Sequence, residues 1–390
     1  MKRKKIVVMG FMASCPIAGV VWQHLHYIAG LQRLGHDVTY IEDSARVPYD
    51  PASGELVWNA DYATNVLQKL AREFGFEKRW AYSARYLDDQ PTFGFTRKKV
   101  RQLYRDADAI LNVCGAQELH DDLLVSQRLL YIESDPGVEQ VKVDQSNKGT
   151  LEYLQRHHAL FTFGENVGSK EFPVPTHGLR WLPTRQPVVT DFWKTSRAPA
   201  AEAVFTSVAN WNTSGLKDIE WRGEKYHWSK SAEFLRFVAA PERARETFEL
   251  ASDIKPPATA QKFIKHGWRL RDPHRLSLGH RRYLAYVRAS KGEFTVAKDQ
   301  YVRLNTGWFS DRSACYLAAG RPVITQETGF SQHYGGAGGL FGFRSLGDIA
   351  EAVHAINVDY KQHCRAARDL AREVFEAEAV LRSLLERANV

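Results

Sequence analysis

Between Gly292 and Gln332 the chain reads GEFTVAKDQYVRLNTGWFSDRSACYLAAGRPVITQETGFSQ: an apolar strand, a loop, a helix ending in Leu-Ala-Ala-Gly, and a second apolar strand. The loop holds the residues most capable of chemistry. Thr306-Gly307 permits close backbone approach, and Ser310 or Asp311 can cap the helix that follows. The unpaired amides of that helix's first turn, with Arg312, make an anion site suited to a diphosphate. Lys298 ends the preceding strand, where an ammonium group can neutralise charge developing on a departing diphosphate; a solvated surface lysine is the alternative, and Lys230 carries the same two readings. Three acids close apolar runs elsewhere: Asp43 after DVTYIED, Asp135 in ESDPG and Glu165 in FGEN. Each suits proton abstraction, and each also suits an ordinary turn. Asp135 ranks first, because its turn falls near the expected switch point of the strand order.

These residues need a scaffold that brings them together. KIVVMG (5–10), DVTYIED (37–43), ADAILNVCG (107–115), RLLYIESDPG (128–137) and ALFTFGEN (159–166) alternate with helix-like stretches, as in a parallel sheet covered on both faces. A proline-bearing stretch of little periodicity, 179–203, follows. The same grammar then restarts at VFTSVANW (204–211) and continues through RPVITQET (321–328). The expected architecture is α/β: two Rossmann-like, doubly wound parallel-sheet domains facing a cleft, with C-terminal helices. Its expected boundaries are 1–190, 203–365, and a C-terminal helix, 366–390, packing back near the N-terminal domain. Ligands of open parallel sheets bind beyond the carboxyl ends of the strands, so substrates should meet in that cleft.

Composition narrows the class. With 390 residues, 44% hydrophobic and 25% charged, the chain reads as an ordinary globular protein with material for two cores. Cys15, Cys114, Cys315 and Cys364 lie far apart, which suits neither a disulfide framework nor a zinc site, and no D-x-D carboxylate pair suggests a metal. The opening MKRKKIVVMGFMASC imitates a secretory or lipoprotein signal ending at Cys15. The helix-like VVWQHLHYIAGLQRLG and the strand after it need the KIVVMG strand to pack against, so a cytoplasmic protein without a membrane span is the expectation. A net charge of +8 and the basic run TRKKVRQLYR (96–105) favour an anionic partner; nucleic acid is a secondary reading, with no recognised binding motif behind it.

The segments GWRLRDP (267–273), TGWFSDRS (306–313) and LAAGRPV (317–323), in that order, resemble the donor-site signature of GT-B glycosyltransferases that use UDP-sugars. The resemblance implies that Trp268 stacks near the nucleobase, that Gly307 to Ser313 hold the phosphates, and that Glu327 and Gln332 approach the sugar hydroxyls. The ribose-binding glutamate of that signature falls at Cys315 or Ser313, leaving Asp311 as the substitute. The glutamate pair frequent in sugar-retaining members would need acids at Gly307 and Cys315, so inversion is favoured. The histidine base of many inverting relatives falls at Val20; His24, one turn further along the same face, is a substitute, and local packing is the alternative for both His24 and His26. The implied activity is metal-independent transfer of a sugar from a UDP- or TDP-sugar, a co-substrate rather than a cofactor, to a small-molecule or nucleoside-like acceptor. The rivals are a nucleotide-sugar epimerase of the same fold, a two-lobed solute-binding lipoprotein, and a DNA-modifying transferase.

Overall fold

The computed structural model describes residues 2–126, 128–212, 218–336 and 338–390. In the first lobe the apolar runs form β1 (Lys5–Met9), β2 (Asp37–Glu42), β3 (Trp80–Ser83), β4 (Thr92–Gly94), β5 (Ala109–Val113), β6 (Leu129–Glu133), β7 (Ala159–Thr162) and β8 (Trp181–Pro183). They pair in the order β8-β7-β6-β5-β1-β2-β3-β4, parallel throughout except for the β3–β4 edge. The signal-like opening thus supplies the central strand. Its residues alternate between faces: Ile6 and Val8 pack toward α1 (Ala18–Arg33), Val7 and Met9 toward α2 (Arg97–Asp106). Gly35, at φ +83°, ends the α1 segment in the left-handed conformation that glycine adopts without strain.

The second lobe repeats the plan with β9 (Phe205–Val208), β10 (Phe248–Ala251), β11 (Arg269–Arg271), β12 (Gly292–Thr295), β13 (Val323–Gln326) and β14 (Leu340–Phe343). Their order, β11-β10-β9-β12-β13-β14, reverses direction between β9 and β12, the crevice where doubly wound sheets take ligands. Helices α3 (Asp299–Arg303) and α4 (Asp311–Ala318) lie between β12 and β13.

Outgoing and returning chains are tied at the crossing: Val188 N–H donates to Phe375 O (2.7 Å) and Ala377 N–H to Val188 O (2.9 Å). Helix α5 (Tyr360–Phe375) packs on α4, and α6 (Ala377–Arg387) reaches α1 of the first lobe. Only glycine fits at that contact, because a Cβ on Gly30 would stand 2.6 Å from Leu381 Cδ1 and 2.8 Å from Ala377 Cβ.

The second lobe has an apolar cluster of its own around Phe205, Phe248, Trp268 and Phe294, and the lobes also share a core. One apolar cluster runs from Trp22 and Phe163 of the first lobe into Phe309, Ala314 and Tyr316 of the second. Burying one such aromatic side chain contributes roughly 1.5–3 kcal/mol, so the lobes hold each other along this seam. Among the described residues no helix is long and apolar enough to cross a membrane.

Candidate functional site between the lobes

A cavity of about 380 Å³ lies between the carboxyl edges of the two sheets. The first lobe lines it with the start of α1 (Gly19, Val20, Gln23) and with Asp135 after β6; the second contributes Trp228, Lys230, Lys298, Trp308 and the amino end of α4, Ser310 to Arg312. The hollow continues past Ala209 and Asn210 into a neighbouring space lined by Trp211, Lys255 and His274.

Three cations face this cavity, each held differently. Arg312 is anchored: Nε stands 2.5 Å from Glu293 Oε1, and the guanidinium donates to Val208 O (2.7 Å) and Thr295 Oγ1 (2.8 Å). Burial opposes its charge, but the fully buried Glu293 outweighs that and fixes Arg312 as a cation. Lys298 lies 2.7 Å from Asp135 Oδ1 across the cleft and over the Trp228 ring, 3.0 Å from its centroid. Lys230 is 8% exposed and makes no ion pair among the described residues. Burial first, then repulsion from Arg312 and Lys298, depresses its pKa well below that of an ordinary lysine.

Asp135 also accepts from the Tyr301 hydroxyl and from Ser134 Oγ (3.1 Å). Ser310 occupies the N-cap of α4 without capping it through its side chain, and the carboxyl of Asp311 is raised by burial, with Arg312 opposing and Asp135 adding to the shift. A cavity combining these cations, a helix amino end and two tryptophan rings suits a ligand with adjacent anionic groups and a flat ring.

The expected phosphate turn divides in two. Residues 310 to 312 face the cavity, but Gly307 does not: its N–H donates to Thr328 O (2.7 Å), and a Cβ there would stand 2.8 Å from Asn166 N. Phe309 lies in the seam core, and Ser313 is fully buried, its Oγ without a hydrogen-bond partner among the described residues. Cys315, at the position of the ribose-binding glutamate in the resemblance, sits 3.8 Å from His26 Nε2 of α1. Between Ser310 and Cys315, therefore, Asp311 is the acid at the cavity wall.

Several other expectations are corrected by packing. Trp268 is 3% exposed, donates its indole N–H to Val238 O (2.7 Å) and packs against Phe248, Phe263 and Phe294, so it is core of the second lobe and has no face for a nucleobase. His24 is fully buried beside Gly10 and Tyr40, with Nδ1 2.8 Å from Val20 O; burial lowers its pKa to about 4, and it does not line the cavity. Glu165 is locked by Arg185 through two hydrogen bonds of 3.0 and 3.2 Å. Glu327 turns back on its own loop, accepting from the Gly329 and Ser331 amides, and Gln332 is exposed outside the cavity. Asp43 lies in a different cavity, on the other face of the first sheet.

Sequence reasoning missed Glu293 and Tyr301. The signal for Glu293 was present: an acid inside the apolar strand GEFT demands a buried cation, and Arg312 is one such residue nearby. The aromatic run 221–228 splits: Trp228 reaches the cavity, while Trp221 and Tyr226 pack against the first lobe.

No protein-family model matches the sequence, and comparison with curated proteins gives no match. Solved structures do match along nearly the whole chain. AviGT4, a glycosyltransferase involved in avilamycin A biosynthesis, is similar with a TM-score of 0.57 at 12% identity, covering 99% of this chain and 97% of its own. Anabaena Alr3699/HepE in complex with UDP gives 0.55 at 11% identity, covering 99% of each chain. An α-glucosyltransferase in complex with UDP and a 13-mer DNA gives 0.55 at 9% identity, covering 100% of each. The fold of this chain is GT-B.

Proposed function

We propose that this chain transfers a sugar from a nucleoside diphosphate sugar to an acceptor hydroxyl inside the interlobe cavity. The observation that carries the reading is the convergence of Lys230, Lys298 and Arg312 on the amino end of α4, opposite Asp135 of the other lobe. Lys230 and Lys298, with the α4 amides, take the diphosphate. Arg312, anchored through three of its five N–H groups by Glu293, Val208 and Thr295, adds a fixed positive field and keeps two N–H donors. Asp311 is the acid placed to accept the ribose hydroxyls. UDP, found bound in the Anabaena structure, supports a uridine donor, with TDP the alternative.

In the reaction the acceptor oxygen bonds to the anomeric carbon as the bond from that carbon to the phosphate oxygen breaks, and the electron pair leaves on the nucleoside diphosphate. The proton of the acceptor hydroxyl passes to Asp135. Asp135 and a diphosphate compete for Lys298, so donor binding draws the lysine toward the phosphates and leaves Asp135, still held by Tyr301 and Ser134, to the acceptor. Inversion is the proposed outcome because the acids of the sugar-retaining pair are missing at Gly307 and Cys315. Rate comes from positioning and from positive charge already in place at the leaving group.

Calorimetry with UDP, TDP and their sugars, followed by product analysis, tests this. UDP or TDP should bind, and Lys230→Ala should weaken binding about tenfold or more, the loss of roughly one charge-assisted contact. If no nucleoside diphosphate binds, or if Lys230→Ala changes nothing, the assignment fails. Isomerised donor formed without any acceptor would assign an epimerase instead.

A further inference from the structure

A second polar cavity, of about 290 Å³, lies beyond Asp43 and is lined by Arg85, Arg97 and His120 among others; it shares no lining residue with the interlobe cavity. The two lie on opposite faces of the first sheet, since the interlobe cavity is built on α1 and this one on α2.

Its floor is a buried acid. Asp43 is 4% exposed; its Oδ2 accepts from Tyr104 OH (3.0 Å) and stands 2.8 Å from His120 Nε2. Its Oδ1 has no hydrogen-bond partner among the described residues, and the nearest cation, Arg85 Nε, stays 4.0 Å away. Leaving such an oxygen unsatisfied costs about 1–3 kcal/mol. With Nε2 committed to Asp43, Nδ1 of His120 is the nitrogen left for a ligand.

The rim points the same way. Helix α2 opens with Arg97, Lys98 and Lys99 and has no acid in its first turn, the reverse of what a helix dipole favours. Asp121 and Asp122 stand among the arginines, and Asp122 pairs with Arg101 at 2.6 Å. Arginines facing phosphate and carboxylates facing hydroxyls are complementary to one molecule that carries both. The volume is at the small end of ligand pockets.

We propose that this cavity is a second ligand site for a small phosphorylated polyol of the sugar-phosphate class. The phosphate lies against Arg97 and Arg85, and hydroxyls reach Asp43 and His120. The proposal is independent of the transferase reading.

Calorimetry on the full chain with glucose 6-phosphate and ribose 5-phosphate tests it, using glucose and inorganic phosphate as half-ligands. At least one sugar phosphate should bind about tenfold or more tightly than either half-ligand. Arg97→Ala, a change to an exposed side chain, should weaken that binding about tenfold and leave UDP binding unchanged, while Lys230→Ala should leave sugar-phosphate binding unchanged. The proposal is overturned if neither sugar phosphate binds, if the half-ligands bind as well, or if binding survives Arg97→Ala and disappears in Lys230→Ala.

Discussion

The turns ESDPG and FGEN end adjacent parallel strands, β6 and β7, and both carry an acid toward the second lobe, yet they behave oppositely. At the first, Asp135 meets Lys298 and Tyr301 across an open cavity. At the second, Glu165 is clamped by Arg185, and the neighbouring Asn166 stitches the lobes together: its N–H donates to Thr306 O (3.0 Å) and its side-chain amide to Asn305 O (2.8 Å). One strand further along the edge, the same topology gives a seam instead of a site. The difference comes from what faces each turn. The glycine at 307, with φ +72°, lets backbone close on backbone at Asn166, whereas two lysines and a helix end keep the space before Asp135 open and charged.

Breaking each turn separates the two roles. Asp135→Asn removes the proton acceptor and the rival anion for Lys298, and should lower turnover by about 10²- to 10⁴-fold with donor affinity unreduced or raised, read from steady-state kinetics and calorimetry. Wild-type turnover would remove Asp135 from the chemistry. Gly307→Ala adds a Cβ against Asn166 backbone at a positive φ, and should cost about 1–3 kcal/mol of stability in urea unfolding. Glu165→Gln keeps the shape of the seam but loses the charge facing Arg185, which is one-third exposed; a loss of about 1 kcal/mol with normal turnover per folded molecule is expected. A turnover defect in Glu165→Gln that exceeds the one in Asp135→Asn would reverse the comparison.

The contrast also marks how far the sequence could be read. Strand and helix alternation, with its restart after residue 203, implied both sheets, because periodicity is local. The rule that parallel sheets use their carboxyl edges pointed to Asp135, and the reading of a helix amino end pointed to residues 310–312; the fold brings both to one cavity with Lys298. That rule names an edge, not a neighbour, so it cannot separate Asp135 from Glu165, or show that Asp43 opens on the opposite face of the sheet. Trp268 was misread for a related reason: a Gly-Trp step looks the same whether the ring faces a ligand or a core, and its partner Val238 O lies 30 residues away in sequence. Glu293 alone was legible in principle and overlooked, since a charge inside an apolar strand always needs a partner.

The smallest effect is the sharpest probe of the open side of the comparison. Burial and the neighbouring Arg312 and Lys298 hold the pKa of Lys230 well below its unfolded value. Between those two values the unfolded chain carries a proton that the native chain lacks, so the stability of the ligand-free protein should rise with pH across that window. A diphosphate has the opposite preference, because it favours the ammonium form. Binding within the window should therefore take up a proton, and affinity should fall as pH rises. Calorimetry in two buffers of different ionisation enthalpy reads that uptake as a difference in binding enthalpy, and Lys230→Arg, which stays charged, should abolish the difference while keeping most of the affinity. Equal enthalpies in both buffers for the wild-type protein would mean that Lys230 does not meet the anion, and the open side of the cleft would lose its main contact.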